Sequence, residues 1–306
     1  MKKRNGGVAA ITAILIVAVA ASAATLMLAQ QAAMLDQTTL VGSRAQAEQY
    51  ATAGLDWARG VLAQDAATST VDTLDEAWAR PIAGLPVERA LVAGSIADEQ
   101  GKFNLNNLVN ATQRSETDVK LLRQLLSTLD LSPDLADAVL DWIDPDSDLT
   151  SSAGAEDAYY LALPRPYRAA NAKLMQVDEL YRVRGFDART VARLRPYVTA
   201  LDERTTINVN TASDVVVAAM FGIGRERAQQ LLSERRVKPF ANIAAFEDRL
   251  RQAGLIGLGN FDVKSRWFAV GVQVSQDDVT LGLEALVRRE PAGRGTPVII
   301  WRRPRF

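Results

Sequence analysis

Between Val8 and Ala29 the chain carries no charged residue, and the first acid after that run is Asp36. About 20 apolar residues at a rise of ~1.5 Å each match the ~30 Å hydrocarbon core of a bilayer. Such a block is either removed, as a secretory signal peptide is, or kept as an anchor. Hydropathy alone leaves both open, because Ala21-Ser22-Ala23 and Ser22-Ala23-Ala24 each offer a small-x-small cleavage pattern. Two features favour retention. The basic run Lys2-Lys3-Arg4 directly precedes the block and should stay cytoplasmic by the positive-inside bias. Beyond the block the helical pattern continues: Leu28, Ala32, Leu35, Thr39, Gly42, Ala45, Gln49 and Ala53 recur at spacings of three and four. One helix over Val8–Gln64 would be ~85 Å long, far more than a globular fold needs. The alternative is two helices with a break near Gly42.

Composition narrows what such a molecule can do. The chain of 306 residues has room for two ordinary domains, or for one domain carrying an insertion. There is no cysteine, so disulfides and thiolate metal sites are excluded. There is no histidine either, which removes Ser-His-Asp triads, histidine-bound zinc and the usual base near neutral pH. The chain is read as a non-enzyme. A formal net charge of -1 argues against a molecule built as a whole to bind nucleic acid.

Pro81, Gly84 and Pro86 mark a loop after the long helix, and Ala90 to Asn106 alternates as two strands around a turn at Glu99-Gln100-Gly101. Glu116 to Asp141 reads as two helices, the second opened by Ser132 as N-cap and Pro133 in the first turn. Then comes DWIDPDSDLTSSAGAEDAYY, in which Asp141, Asp144, Asp146, Asp148, Glu156 and Asp157 occur with no basic residue before Arg165. Alternating carboxylates in a Pro/Ser/Gly loop can aim several hard oxygens at one spot, the arrangement Ca²⁺ prefers with about 6–8 ligands. The stretch is no EF-hand: counted from Asp144, Leu149 stands where glycine belongs and Ala155 where the bidentate glutamate belongs. Spacing alone leaves a solvated acidic loop with helix caps as the other reading. Tyr159, Tyr160 and Tyr167 then interleave with Arg165 and Arg168. Such residues can stack on nucleotides, but loop packing with snorkelling arginines is the commoner use and is expected here.

Ile207 to Leu250 is similar to a helix-hairpin-helix, or SAM-like, module. Asn210-Thr211-Ala212-Ser213 caps a helix, Phe221-Gly222-Ile223-Gly224 makes the hairpin, and a second helix starts at Arg225. In DNA-binding relatives the hairpin amides hold a phosphate, which would assign that role to Gly222, Gly224 and Arg225. From Arg204 to Arg251 eight bases against five acids leave +3, enough for weak attraction only. Phe103 to Trp142 reads as a diverged partner of this module without the glycine hairpin. Three terminal strands follow in SRWFAVGVQVS, VTLGLEALVRRE and TPVIIWRRPRF, with Phe268, Val270, Val272 and Val274 on one buried face. The Arg302-Arg303-Pro304-Arg305 tail blunts the last edge.

A family resemblance joins these parts. Arg4-Asn5-Gly6-Gly7 before Val8-Ala9-Ala10-Ile11-Thr12 resembles the leader of type IV pilin-like proteins, which prepilin peptidase cuts on the cytoplasmic side while the apolar helix stays. The resemblance places the cut between Gly7 and Val8 and makes Thr12 the fifth mature residue. Most pilins and pseudopilins carry Glu there, thought to pair with the amino terminus of a neighbouring subunit. A carboxylate within a bilayer is expensive unless paired, and a subunit lacking it suits the start or cap of a filament. Among type II secretion pseudopilins the K-type minor subunits lack this Glu, and GKFNLNNL, DAVLDWIDPDSD and EDAYY also resemble that family.

The resemblance implies an α+β fold in which a long N-terminal helix packs on an antiparallel sheet, with a large all-α insertion. The parts are a leader at 1–7, a transmembrane stretch at 8–29, a pilin-like unit of 30–106 with 260–306, and an insertion at 107–259 made of two SAM-like modules, 107–205 and 207–259. It implies Ca²⁺, as one ion or two, on Asp144, Asp146, Asp148, Glu156 and Asp157, with Asp141 a less suitable donor because it lies in a helix. Implied partners are other minor pseudopilins of the I and J types, with the H type as a further one, prepilin peptidase, the inner-membrane assembly platform and the inner membrane itself. The N-terminus would be cytoplasmic and the bulk periplasmic in a Gram-negative bacterium, with the subunit at the tip of a filament exporting folded proteins. The rival is a competence-type, membrane-anchored DNA receptor. Those are shorter, end near their hairpin module and lack such an acidic insertion, so nucleic acid is not expected as a partner.

Overall fold

The computed structural model describes residues 6–236, 238–290 and 295–305, with the side chains of residues 6, 7, 234 and 236 left aside. Leader residues 1–5 lie outside the described residues. Helix α1 (Gly6–Thr68) is continuous, with no break at Gly42, and at ~1.5 Å per residue it is ~95 Å long. Nothing in it forces a kink: it contains no proline, and Thr12, Ser22, Thr25 and Thr38 each donate their hydroxyl to the carbonyl four residues back. Every residue from Val8 to Gly42 is exposed, and Ser43 is the first buried one. From there Ala47, Ala51, Leu55, Ala58 and Leu62 make a buried stripe at spacings of three and four.

That stripe lies on a five-stranded antiparallel sheet. The chain forms β1 (Ile82–Val87) and β2 (Ala90–Asp98), leaves the sheet, and returns much later. The intervening elements are β3 (Phe103–Asn104), β4 (Val109–Asn110), β5 (Gln113–Arg114), α2 (Glu116–Thr128), α3 (Leu135–Ile143), α4 (Asp157–Leu161), α5 (Ala188–Leu194) and β6 (Val198–Thr199). After them come β7 (Ile207–Asn208), α6 (Asp214–Phe221), α7 (Arg225–Leu232), α8 (Ile243–Ala253) and β8 (Phe261–Asp262). The sheet is then completed by β9 (Trp267–Gln276), β10 (Val279–Arg288) and β11 (Val298–Arg305), in the order β1-β2-β9-β10-β11. Phe268, Val270, Val272 and Val274 on β9 all face the core beneath α1. Gly54 lets helix and sheet approach closely there, since a Cβ at that position would sit 2.9 Å from Val272.

The structure corrects three expectations. Gly84 and Pro86 lie not in a loop but in the edge strand β1, directly after Pro81; proline is tolerated there because one side of the strand has no ladder to complete. The hairpin expected around Glu99-Gln100-Gly101 does not form. Strand β2 turns back on β1 through Glu88-Arg89, with Glu88 at φ +50°, whereas Phe103–Asn104 pairs in parallel with β6 in the helical unit. Finally α3 starts at Leu135, two residues later than Ser132-Pro133 predicts. The Ser132 hydroxyl accepts the Asp134 amide at 3.4 Å in the turn that precedes it.

The helical unit between Asp98 and Trp267 holds one continuous core, in which α2 packs on α6 and Leu122, Leu125, Val216 and Met220 are all buried. Its two halves repeat one device. The Asn106 amide clamps Leu174 through both backbone groups, at 2.9 Å each, and Asn210 does the same to Phe240 at 3.0 and 2.9 Å. Each half closes with a parallel two-residue bridge, β3 to β6 and β7 to β8.

A buried polar seam joins this unit to the sheet. Asp98 accepts from Ser265 Oγ and Thr211 Oγ1, both at 2.6 Å, and from Asn208 Nδ2 at 3.1 Å. Arg289 spans Asp65 and Asp72 at 2.6 Å and donates to the Ser265 carbonyl at 2.7 Å.

Candidate metal centre and anchoring helix

Helix α3 stops where Asp144 turns to extended geometry (φ -74°, ψ 155°), its amide still bonded to the Leu140 carbonyl at 2.9 Å. The loop beyond is tied back onto the helix that precedes it. The Thr150 amide donates to Asp141 Oδ1 at 3.0 Å, and Ser151 Oγ donates to Asp137 Oδ2 at 2.7 Å. Arg184 Nη1 then holds the Gly154 carbonyl at 2.7 Å. Glu156 stands at the N-cap of α4 but makes no capping bond with its side chain, which points into the loop instead.

As a result Asp144, Asp146 and Glu156 each place a carboxylate oxygen within 4.8 Å of the others. Asp144 and Glu156 are buried, at 9% and 4% exposure, whereas Asp146 is exposed. Burial and the neighbouring carboxylates Asp146 and Asp141 push Asp144 up to about 7, and burial with Asp144 and Asp141 raises Glu156 to about 7. Five buried oxygens around this loop have no hydrogen-bond partner: Asp141 Oδ2, Asp144 Oδ1, both oxygens of Glu156, and Asn171 Oδ1. Orphaned buried acceptors are costly. A donor set of carboxylate and amide oxygens alone fits a hard cation.

Not every residue in the sequence-level set joins this group. Asp148 only lends its backbone amide to Asp146 Oδ1, at 2.9 Å. Asp157 turns away, accepting the Ala169 amide at 3.0 Å and pairing with Arg168 at 3.4 Å. Asp141, set back because it lies in a helix, is fully buried with one oxygen free. Asn171 is missed altogether by spacing. Its side-chain Nδ2 donates to the Asp146 carbonyl at 3.0 Å, which brings it beside the group from fifteen positions past Glu156, and no local pattern links the two.

A second acidic group, Asp65, Asp72 and Glu76, is equally tight but has its own cation in Arg289. Glu76 is satisfied by Ser69, Thr73 and Trp78. None of its buried oxygens lacks a hydrogen-bond partner.

Gly154 marks the tightest point of the loop, because a Cβ there would lie 1.9 Å from Asp141 Oδ2. Gly154→Ala is expected to displace Asp141 and lower stability by about 1–3 kcal/mol, read as thermal unfolding of the full chain.

The glycine hairpin is used for packing. Gly222 takes φ +60° against Gln124 of α2, and Arg225 is bound to Asp214 at 3.0 Å. The tyrosines pack as expected: Tyr160 is buried edge-on to Trp142 at 5.1 Å and stacked on Tyr167 at 5.3 Å.

At the other end, α1 is the one helix among the described residues long and apolar enough to cross a membrane, with a mean hydropathy of 2.4 over its most apolar window. Gly7 and Val8 both lie within it. Thr12 Oγ1 lies 3.0 Å from the Val8 carbonyl and 2.9 Å from that of Ala9, so the hydroxyl is satisfied inside its own helix. The small residues Ala9, Ala13, Ala20, Ala24 and Gly42 are exposed.

A membrane-length helix running straight into a globular body and packed on one antiparallel sheet defines a pilin-type subunit, here with a helical unit set into the sheet between β2 and β9. Two family models described as type II secretion system protein K match residues 101–203 and 207–270. Type II secretion system protein K of Pseudomonas aeruginosa is 35% identical, covering 96% of this chain and 92% of the relative. That of Aeromonas hydrophila is 32% identical over 98% and 97%. The crystal structure of the GspK-GspI-GspJ complex from the enterotoxigenic Escherichia coli type 2 secretion system contains a chain that superposes with a TM-score of 0.76. The identity is 26%, covering 88% of this chain and 99% of that one. The chain belongs to the type II secretion system protein K family, the K-type minor pseudopilins. Both helical modules fall within that family, and the DNA-receptor reading is not favoured.

Proposed function

We propose that this chain is the tip subunit of a type II secretion pseudopilus. Prepilin peptidase cuts between Gly7 and Val8, and α1 keeps the subunit in the inner membrane with its body in the periplasm. There it joins minor pseudopilins of the I and J types, and the H type beside them, on the inner-membrane assembly platform. The observation that carries this reading is Thr12, whose hydroxyl is bonded to its own helix and calls for no partner. A shaft subunit with an acid at this position needs the amino terminus of a neighbour, whereas this one inserts and waits without one. The helical unit adds bulk that an end position accommodates and a stacked position does not. The chain acts by assembly and carries out no chemistry.

We assign Ca²⁺ to Asp144, Asp146 and Glu156, with Asp141 and Asn171 supplying further oxygens; bound there, the cation neutralises the carboxylates and ties the end of α3 to the start of α4. Asp148 and Asp157 are left to loop structure. Antibody-gold labelling of isolated filaments tests the position: label at one end is expected, and label along the length contradicts it. Gly7→Val should leave the leader attached and abolish incorporation, seen as a slower-migrating membrane form absent from filaments.

A further inference from the structure

We propose that Arg165, Arg168 and Arg182, with Tyr159, Tyr167 and Arg184, form a docking surface for an acidic polypeptide segment. This goes beyond the tip assignment and does not depend on it. Two stretches of chain meet here. The Tyr167 hydroxyl donates to the Arg182 carbonyl at 2.8 Å, and the Arg184 guanidinium lies 4.9 Å from the Tyr159 ring centre while its Nη1 holds the Gly154 carbonyl. The backbone beneath the arginines is therefore fixed.

Arg165, Arg168 and Arg182 above it are all exposed. Arg165 and Arg182 make no ion pair among the described residues. Arg168 is 76% exposed in its side chain, with a single 3.4 Å contact to Asp157. Several other arginines of the helical unit are paired: Arg193 with Asp130 at 2.6 Å, Arg204 with Asp118 at 2.8 Å, Arg225 with Asp214 at 3.0 Å. From 165 to 184 there are five bases (Arg165, Arg168, Lys173, Arg182, Arg184) against two acids, Asp178 and Glu179, which leaves +3. Both acids are occupied. Asp178 binds Arg195 and Arg303, and Glu179 accepts the amides of Met175 and Gln176.

The ring faces decide which anion fits. Binding a single-stranded nucleic acid calls for an open aromatic face on which a base can stack. Tyr167 already stacks on Tyr160, with 29° between the planes, and Tyr159 carries Arg184. The acidic loop also borders the patch, since Asn171 of the same stretch is bonded to Asp146. A backbone of closely spaced phosphates would be repelled there. Guanidinium forks meet isolated carboxylates two bonds at a time, and a polypeptide can space its acids to suit them.

The test uses the full chain in non-ionic detergent with a fluorescein-labelled peptide of alternating Glu and Gly, read by anisotropy, beside a labelled oligothymidylate of equal charge. The peptide should bind, more weakly as salt rises. Arg165→Glu/Arg182→Glu should lower its affinity by roughly tenfold or more. Arg302→Glu/Arg305→Glu on β11 removes as much charge and should change nothing. Arg165→Gln/Arg182→Gln serves if the reversal misfolds, which an unfolding curve reports. The proposal is overturned if the peptide does not bind, if both double variants lose equally, or if the oligothymidylate binds more tightly through the same arginines.

Discussion

Chelating divalent cations should lower the unfolding temperature of the full chain by roughly 5–10 °C, and added calcium should restore it. A cation bound only to the folded state at ~100 times its dissociation constant adds about 2.7 kcal/mol. In a body of this size each kcal/mol moves the midpoint by about 2–4 °C. The double substitution Asp144→Asn/Glu156→Gln separates this site from a mere acidic loop. It removes both the charge that a cation needs and the repulsion that a cation relieves. In chelator the variant should therefore be more stable than the parent, and it should no longer respond to calcium. The pH dependence has a definite sign. Both carboxyls sit at about 7 in the folded chain, above their unfolded values, so the folded state takes up protons first. Without cation, stability should rise as pH falls from about 7 towards the unfolded carboxyl range; with saturating calcium that rise should vanish. A flat pH profile in chelator, or an equal calcium response in the double variant, would remove the metal site.

Arg289→Met should be the most damaging single substitution, costing about 3–5 kcal/mol, because it leaves buried acids without their cation. Arg289 is 8% exposed, and its guanidinium spans Asp65 and Asp72 and lies 5.0 Å from the Phe268 ring centre. Burial and Glu76 lift Asp65 to about 6 even with Arg289 beside it, and burial raises Asp72 as well. Without the arginine both acids favour the protonated form more strongly. The loss measured by denaturant unfolding should therefore be larger at pH 8 than at pH 5. Arg289→Lys should recover part of it, since an ammonium keeps the charge but not the fork. Equal losses at the two pH values would mean that packing on Phe268, and not charge, is what Arg289 supplies.

How far the sequence was readable depends on the range of the interaction. Helix α1 and the β9 face are periodic patterns within one element, and both elements form, but the helix buries Ala47, Ala51, Leu55, Ala58 and Leu62 and leaves Ala45, Gln49 and Ala53 of the sequence-level set exposed. Strand β1 was hidden by Pro86 within it and Pro81 just before it, because the effect of a proline depends on whether a strand lies at an edge, a fact about neighbours. Phe103-Asn104 alternates like a strand continuing from β2, yet its asparagines are buried because backbone groups about 70–100 residues away satisfy them. The same holds at the acidic loop. Asp144, Asp146 and Glu156 stand out by composition, whereas Asn171 enters only through the fold. Asp148 and Asp157 look like donors in the sequence and are drawn off by local amides and by Arg168.

The central claim is that α1 survives processing as a membrane anchor in a subunit with no acid at the start of its helix. It is tested most directly by sequencing the amino terminus of the protein extracted from inner membranes. Val8 as the first residue, with Thr12 fifth, is the expected result. A mature chain beginning near Ala24 and recovered free of membrane would contradict the account.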